Sequence, residues 1–299
     1  LHVDIHLNSP ADIWTIIPFG CVHYPEPGHC AETFRQLLEE LKKPNTKGVG
    51  LGDVFTWSRG TLRKHLATYV EDEDSYRELD KMVRGQTEKF YKESIEEVQH
   101  NIIGFGEGNH YHQFQDGTTS TQYLCQLAGV PYLDKPAVLR IAIGFKDHHP
   151  KTILKGLLHH GDWSGGSASV GGDITAQEKK FASFPSFDFF FASHTHRKTA
   201  VQIPSLDIPE LGRLQLIERP RIMIRTGCFI RGYDECVKNN YAQRKLLSPT
   251  EIGYVKLEVF WERPYDKEKY SQERMDGKKR DKAHNASHGK LRHKFRVIF

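Results

Sequence analysis

The chain has 299 residues, 38% hydrophobic and 27% charged, with a formal net charge of +4 at pH 7. That length and balance support one large α/β core and exclude a disordered polar chain, and no apolar run reaches the roughly 20 residues that a membrane-spanning helix needs. Five cysteines, an odd number with no paired metal spacing among Cys30, Cys125, Cys228 and Cys236, exclude a disulfide framework and favour a reducing, cytoplasmic setting.

In chain order, Asp4, Ile5 and His6 read as a short surface strand, because Pro10 separates them from the longer apolar run Trp14 to Phe19. That run ends in Cys21, Val22 and His23. Phe34, Leu37, Leu38 and Leu41 then recur at helical spacing and stop before Pro44. A second strand through Gly48, Val49, Gly50 and Leu51 ends in Gly52 and Asp53. Helices follow: Leu62, Leu66 and Tyr69 mark one apolar face, and Leu79, Met82, Val83, Phe90, Ile95 and Val98 mark later ones, with breaks expected at residues 71–74 and at Gly85.

Three more apolar runs end in polar clusters. Ile102, Ile103 and Phe105 lead to Gly108, Asn109 and His110; residues 153–158 lead to His160 and Gly161; Phe189 to Ala192 leads to Ser193, His194, Thr195 and His196. Gly165, Gly166, Gly171 and Gly172 form a loop beyond Trp163, suited to close backbone approach, to a flap or to a plain surface connection. Segments 213–217, 221–224 and 254–261 alternate and suit a second sheet. Residues 264–299 carry 11 Lys/Arg against 5 Asp/Glu, while the rest of the chain holds 31 against 33, so the net basicity lies in this tail. Such a tail attracts nucleic-acid phosphates or is simply a solvated end, although its last residues, Phe295 to Phe299, are apolar enough to dock on something.

Five strand ends thus carry groups able to bind a metal. A pair of divalent ions held close together neutralises charge and acidifies water. Such a site needs a carboxylate that bridges both ions, for which Asp53 is the candidate. It also needs neutral imidazoles, which His23, His160, His194 and His196 supply, and an amide oxygen, which Asn109 supplies. His29, His65, His100 and His112 read as surface or structural histidines, and His159 fits less well than its neighbour His160.

The ordered series C-V-H, G-D, G-N-H, H-G and S-H-T-H resembles the calcineurin-like metallophosphoesterase superfamily, whose pattern is D-x-H, G-D, G-N-H, H and G-H-x-H, over roughly residues 14–260. The resemblance implies a four-layer αββα sandwich of two mixed sheets flanked by helices, here a domain of residues 1–263 followed by the basic tail 264–299. It implies a binuclear metal-dependent phosphoesterase using a metal-bridging hydroxide as nucleophile. The first ion would be held by Cys21, His23, Asp53 and His196, the second by Asp53, Asn109, His160 and His194, with His110 as the acid for the leaving oxygen. A phosphodiester substrate is favoured over a phosphomonoester or phosphoprotein because of Trp57, Trp163 and the basic tail; Trp57, Arg59 and Trp163 follow ligand turns and suit a substrate pocket.

This chain departs from the pattern at three places. Cys21 replaces the first aspartate, Ser193 replaces a glycine, and Tyr111 stands where many relatives have an acid. A Cys21 thiolate would favour zinc or iron over manganese, whereas an inert buried thiol would leave the first site weak. Some relatives keep the fold and use a degraded site for protein binding, a scaffold role that the lost aspartate would suit. Residues 226–241 show a weaker resemblance to phage- and plasmid-type members.

Overall fold

The computed structural model describes residues 1–57, 73–146, 148–163, 171–208, 216–233, 243, 246, 248–262 and 292–299. Strands β1 (His2–Leu7), β2 (Trp14–Phe19), β3 (Thr46–Gly50), β4 (Ile102–Phe105), β5 (Ala137–Phe145), β6 (His148–His159) and β7 (Phe189–Ala192) are followed by β8 (Lys198–Ile203) and the short β9 (Leu206–Asp207) and β10 (Ile217–Glu218). The series ends with β11 (Arg221–Thr226), β12 (Lys256–Glu262) and β13 (Arg292–Ile298). One sheet has the order β13-β12-β2-β3-β4 and the other β1-β5-β6-β7-β11-β8, with β9 and β10 as a separate pair. β2, β3 and β4 run parallel in the first sheet, and β6, β7 and β11 run parallel in the second.

Period-two alternation explains how the sheets stack. Trp14 and Ile16 of β2 join Val49, Leu139, Ile141, Leu158, Phe189 and Phe191 in a core between the sheets. Ile17 and Phe19 point the other way, onto helix α1 (Ala31–Leu41), the end of α2 (Glu73–Phe90) and α3 (Ser120–Ala128). On the far face of the second sheet, Leu157, Phe190 and Met223 pack on Phe181 of α4 (Gly172–Ala182). The layers therefore run helix, sheet, sheet, helix. Pro18 is tolerated inside β2 because the ladder to β12 stops at Ile16, so no partner there needs its missing N–H.

Helix α1 buries Phe34, Leu37, Leu38 and Leu41, the four residues of the expected apolar stripe. Helix α2 differs from expectation, since it runs through Gly85 without a break. A Cβ at Gly85 would meet nothing within 4 Å, so the glycine faces open space and costs only its propensity, about 1 kcal/mol. Met82 lies on the exposed side of the same helix. The expected grouping of segments 221–224 and 254–261 into one sheet is also corrected. β11 joins β7 in the larger sheet and β12 joins β2 in the smaller. All six residues of β11 are buried, as in a strand covered on both faces.

The apolar end of the basic tail docks on the domain, because β13 pairs with β12 from Lys256↔Ile298 to Glu262↔Arg292. The basic stretch 264–291, the helix marked by Leu62, Leu66 and Tyr69, and most of the glycine loop after Trp163 lie outside the described residues. Asp4 and His6 sit on the exposed face of edge strand β1, and neither belongs to a group of potential metal-ligand atoms among the described residues. No helix among the described residues is long and apolar enough to cross a membrane.

Candidate metal centre

The turns after β2, β3, β4, β6 and β7 meet at one seam between the two sheets. Backbone hydrogen bonds stitch them together: Cys21 N–H donates to the Gly52 carbonyl (3.0 Å), His23 N–H to the Asp53 carbonyl (3.0 Å) and Ser193 N–H to the His160 carbonyl (2.9 Å). Eight non-glycine residues have positive φ among those described. Five of them are here: Cys21 (+51°), His23 (+56°), Asp53 (+50°), His194 (+71°) and His196 (+57°). Left-handed conformation costs a non-glycine residue on the order of 1 kcal/mol or more, so this clustering is strain held in place by the surrounding fold.

Glycines let the turns approach each other. A Cβ on Gly108 would lie 2.0 Å from Asp53 Oδ1 and 2.2 Å from its backbone nitrogen. Gly52, at φ +100°, could carry no Cβ without meeting Gly108 Cα at 2.6 Å. With both side chains absent, Asp53 Oδ1 accepts the backbone N–H groups of Asn109 (2.7 Å) and His110 (3.0 Å), which aims Oδ2 into the seam.

What faces Oδ2 is a convergence of acceptors. His160 Nδ1 lies 2.9 Å from the Leu51 carbonyl, to which only an N–H can donate. His160 Nε2 then has Asp53 Oδ2 at 3.0 Å, Asn109 Oδ1 at 3.0 Å and His194 Nδ1 at 3.1 Å around it. One proton at most sits on that nitrogen, too few for three acceptors. On the other side, His23 Nε2 and His196 Nε2 are 3.2 Å apart, and His23 Nδ1 is fixed by the Thr56 hydroxyl at 2.7 Å. A cation satisfies such a set where a proton cannot, and the donors are those that hold transition metals. Two groups of potential ligand atoms lie within 4.8 Å of one another: Cys21, His23 and His196, and Cys21, Asp53 and His160.

The electrostatics agree with the geometry. Burial holds His23 well below the ordinary histidine value and His194 and His196 at about 4, so these imidazoles are neutral at pH 7 and keep a lone pair for a ligand. Burial also lowers His160, but the adjacent Asp53 carboxylate outweighs it and leaves the net shift upward. For Asp53, burial pushes upward, yet His160, His23 and His110 reverse this and hold the carboxyl well below its usual range. Burial and then Asp53 push the Cys21 thiol up, against hydrogen bonds from Ser193 and His194 N–H.

His110 stands beside the donors, its Nε2 3.9 Å from Asp53 Oδ2 and its ring edge-on to His23 at 5.2 Å. His159 is turned away: its Nδ1 accepts the Gly161 N–H (2.8 Å) and its ring packs on Trp163 at 5.1 Å. His112 pairs with Asp80 at 2.6 Å, and His29 Nδ1 bonds the Val22 carbonyl at 2.8 Å, both in structural roles. Trp57 stacks on Phe55 and its backbone N–H donates to the His110 carbonyl (3.2 Å), which keeps it next to the seam. Trp163 packs on Phe190 and under the Lys180 and Arg225 cations, so most of its ring surface serves the core. Arg59 lies outside the described residues.

One residue of the site carries no motif. Arg225, 1% exposed near the end of β11, donates through Nη1 to the Ser193 carbonyl (3.1 Å) and the Thr195 hydroxyl (3.1 Å), and through Nη2 to the Asp173 carbonyl (3.3 Å). It braces the turn that presents His194 and His196. The only sequence signal was a charged residue inside β11, a strand otherwise mostly apolar.

No family model and no curated protein matches the chain. Among solved structures it is similar to a conserved uncharacterized protein, a predicted phosphoesterase, from Streptococcus pneumoniae TIGR4, with 11% identity, a TM-score of 0.29, and coverage of 84% of this chain and 87% of that one. It is also similar to Chaetomium thermophilum Vps29, with 11% identity, a TM-score of 0.31, and coverage of 95% and 96%. Likeness this distant lends neither neighbour's activity to this chain, and the chemistry has to come from the side chains themselves.

Proposed function

We propose that this chain is a phosphoric ester hydrolase that works with two bound divalent cations, and that phosphodiesters are its substrates. The observation that carries the reading is the convergence around His160 Nε2 of a carboxylate, an amide oxygen and a second imidazole, with a thiol and two further imidazoles close by. A scaffold protein has no need to hold five ligand candidates in left-handed backbone at one seam.

The residues fit the cations by donor type and number. Cys21, His23 and His196 form one set with Asp53 at its edge, and Asp53, Asn109, His160 and His194 form the other. Cations held there supply charge neutralisation at a phosphoryl group and lower the pKa of water. The chain's own groups do the rest. Backbone N–H groups of Asn109 and His110 keep Asp53 aimed inward, and His160, His23 and His110 keep it ionised. His194 and His196, neutral at pH 7, offer lone pairs without competing protons. His110, adjoining the donors without belonging to either ligand group, donates a proton to the departing ester oxygen, where general acid catalysis contributes roughly two to four orders of magnitude. The preference for diesters rests on Trp57, half-buried and tied through its backbone N–H to the His110 carbonyl, whose indole would offer an apolar surface to a second ester substituent.

The test is hydrolysis of a matched aryl phosphomonoester and phosphodiester by protein dialysed against chelator and then supplied with manganese, zinc or cobalt. The proposal expects no turnover without cation, restoration by at least one of them, and a higher kcat/KM for the diester. A faster monoester would move the substrate class, and inactivity with every cation despite bound metal would favour the scaffold reading.

A further inference from the structure

Two of the three places where this chain leaves the motif pattern touch each other. Cys21 Sγ and Ser193 Oγ are 3.0 Å apart, both residues are at most 1% exposed, and the His194 backbone N–H donates to the same sulfur at 3.3 Å. The neighbourhood is cut to fit that contact, since a Cβ on Gly20 would meet Ser193 Oγ at 2.5 Å. Cys21 is also the one residue that belongs to both ligand groups, with its sulfur within 4.8 Å of His23 and His196 on one side and of Asp53 and His160 on the other. Asp53 belongs to only one of them.

Resting on the two-cation reading above, we propose that the Cys21 sulfur is the donor shared between the two cations, that Ser193 positions it, and that the centre therefore selects thiophilic divalent ions over manganese and magnesium. The physical case has three parts. A thiolate has several lone pairs and a large, polarisable sulfur, and it binds zinc, cobalt or cadmium in preference to hard ions. A sulfur that bridges carries less charge per metal bond and still accepts hydrogen bonds, and the structure supplies two donors, the Ser193 hydroxyl and the His194 N–H. Both donors come from the turn that carries His194 and His196, so the same turn orients sulfur and imidazoles together. On binding, the cation takes the place of the thiol proton, which leaves to solvent. No oxidation is involved.

Ser193 is then a positioning residue acting through sulfur. Its hydroxyl and the His194 N–H both face the sulfur, and a glycine at 193 would leave one donor in place of two. Loss of a hydrogen bond to an anionic acceptor should weaken cation binding about tenfold or more.

The experiment is a cobalt(II) titration of the full chain, read by thiolate-to-cobalt charge-transfer absorption and by bound cobalt per chain after desalting. Two ions should bind, with the charge-transfer band growing over both equivalents. Cys21→Ser should abolish the band, and Ser193→Ala should keep it while weakening binding about tenfold. Competition should show cadmium and zinc displacing cobalt, and manganese failing to do so. Two bound cobalt ions with no charge-transfer band, or a band complete at the first equivalent while a second ion binds, would overturn the shared-sulfur proposal and leave the two-cation reading standing. Binding of a single ion, or no binding at all, would overturn the two-cation reading itself, so the two failures are distinct. The wild-type titration decides the matter even if a variant fails to fold.

Discussion

Replacing Asp53 by asparagine separates what this side chain does for the fold from what it does for the centre. Asparagine has the same shape. Its amide oxygen can accept the Asn109 and His110 N–H groups that Oδ1 accepts now, and its amide nitrogen can donate to His160 Nε2, whose ring already gives its other proton to the Leu51 carbonyl. Every hydrogen bond is therefore remade, and the metal-free variant should lie within about 1 kcal/mol of the parent. Cation binding should behave differently, because the one carboxylate within reach of His160 in the candidate centre is gone. A cation present at 1,000 times its Kd stabilises the parent by about 4.1 kcal/mol, and a 100-fold weaker variant retains only about 1.4 kcal/mol. With an unfolding entropy of about 2.1 cal/mol/K per residue over 299 residues, those energies correspond to cation-induced rises in Tm of about 6 °C and 2 °C. Differential scanning calorimetry with and without zinc reads both quantities. An Asp53→Asn protein that keeps the full cation-induced rise would refute this reasoning, and one that loses several kcal/mol without metal would make Asp53 a structural residue first.

Three other perturbations test separate links. His110→Ala should leave cation content unchanged and slow ester hydrolysis by roughly a hundredfold or more, and loss of metal in that variant would put His110 among the ligands. Gly108→Ala drives a methyl group into Asp53 Oδ1, so unfolding should show a loss of at least about 1–3 kcal/mol together with weakened cation binding; a neutral result would mean that the turn is looser than it is drawn. Acid should also weaken the metal-free protein. His194 and His196 titrate at about 4 in the fold and at about 6.5 when unfolded, with His23 shifted the same way, so between those values the unfolded chain takes up more protons. Stability should then fall as pH drops from 6.5 towards 4, by up to about 1.4 kcal/mol per unit for each histidine. His160 acts in the opposite sense, because its raised value contributes stability at low pH that is lost as pH rises through that value. Urea melts that stay level across this window would contradict the neutral-imidazole description.

The parts of the site that were legible in the sequence are the parts that strand ends announce. An apolar run leading to Cys21 and His23, to Asp53, to Asn109 and His110, to His160 or to His194 and His196 marks its own turn, and the structure brings those turns together. The left-handed backbone at Cys21, His23, Asp53, His194 and His196 was not legible, because nothing in a Cys, His or Asp side chain signals positive φ as a glycine would. Arg225 was hidden for a different reason. Its role depends on carbonyls from Ser193 and Asp173, which only the folded chain brings near. Helix α4 was invisible because its buried face includes Asp173 and Gln177, so its apolar period is broken. The division of β11 and β12 between two sheets was equally beyond reach, since alternation fixes which residues face a core and says nothing about which sheet a strand joins.

The central claim is that these particular side chains hold two cations. Anomalous diffraction from crystals grown with zinc tests it most directly. Two peaks are expected, one among Cys21, His23 and His196 and one among Asp53, Asn109, His160 and His194. A map with no peak at this seam, in crystals whose protein is shown by elemental analysis to carry zinc elsewhere, would contradict the account.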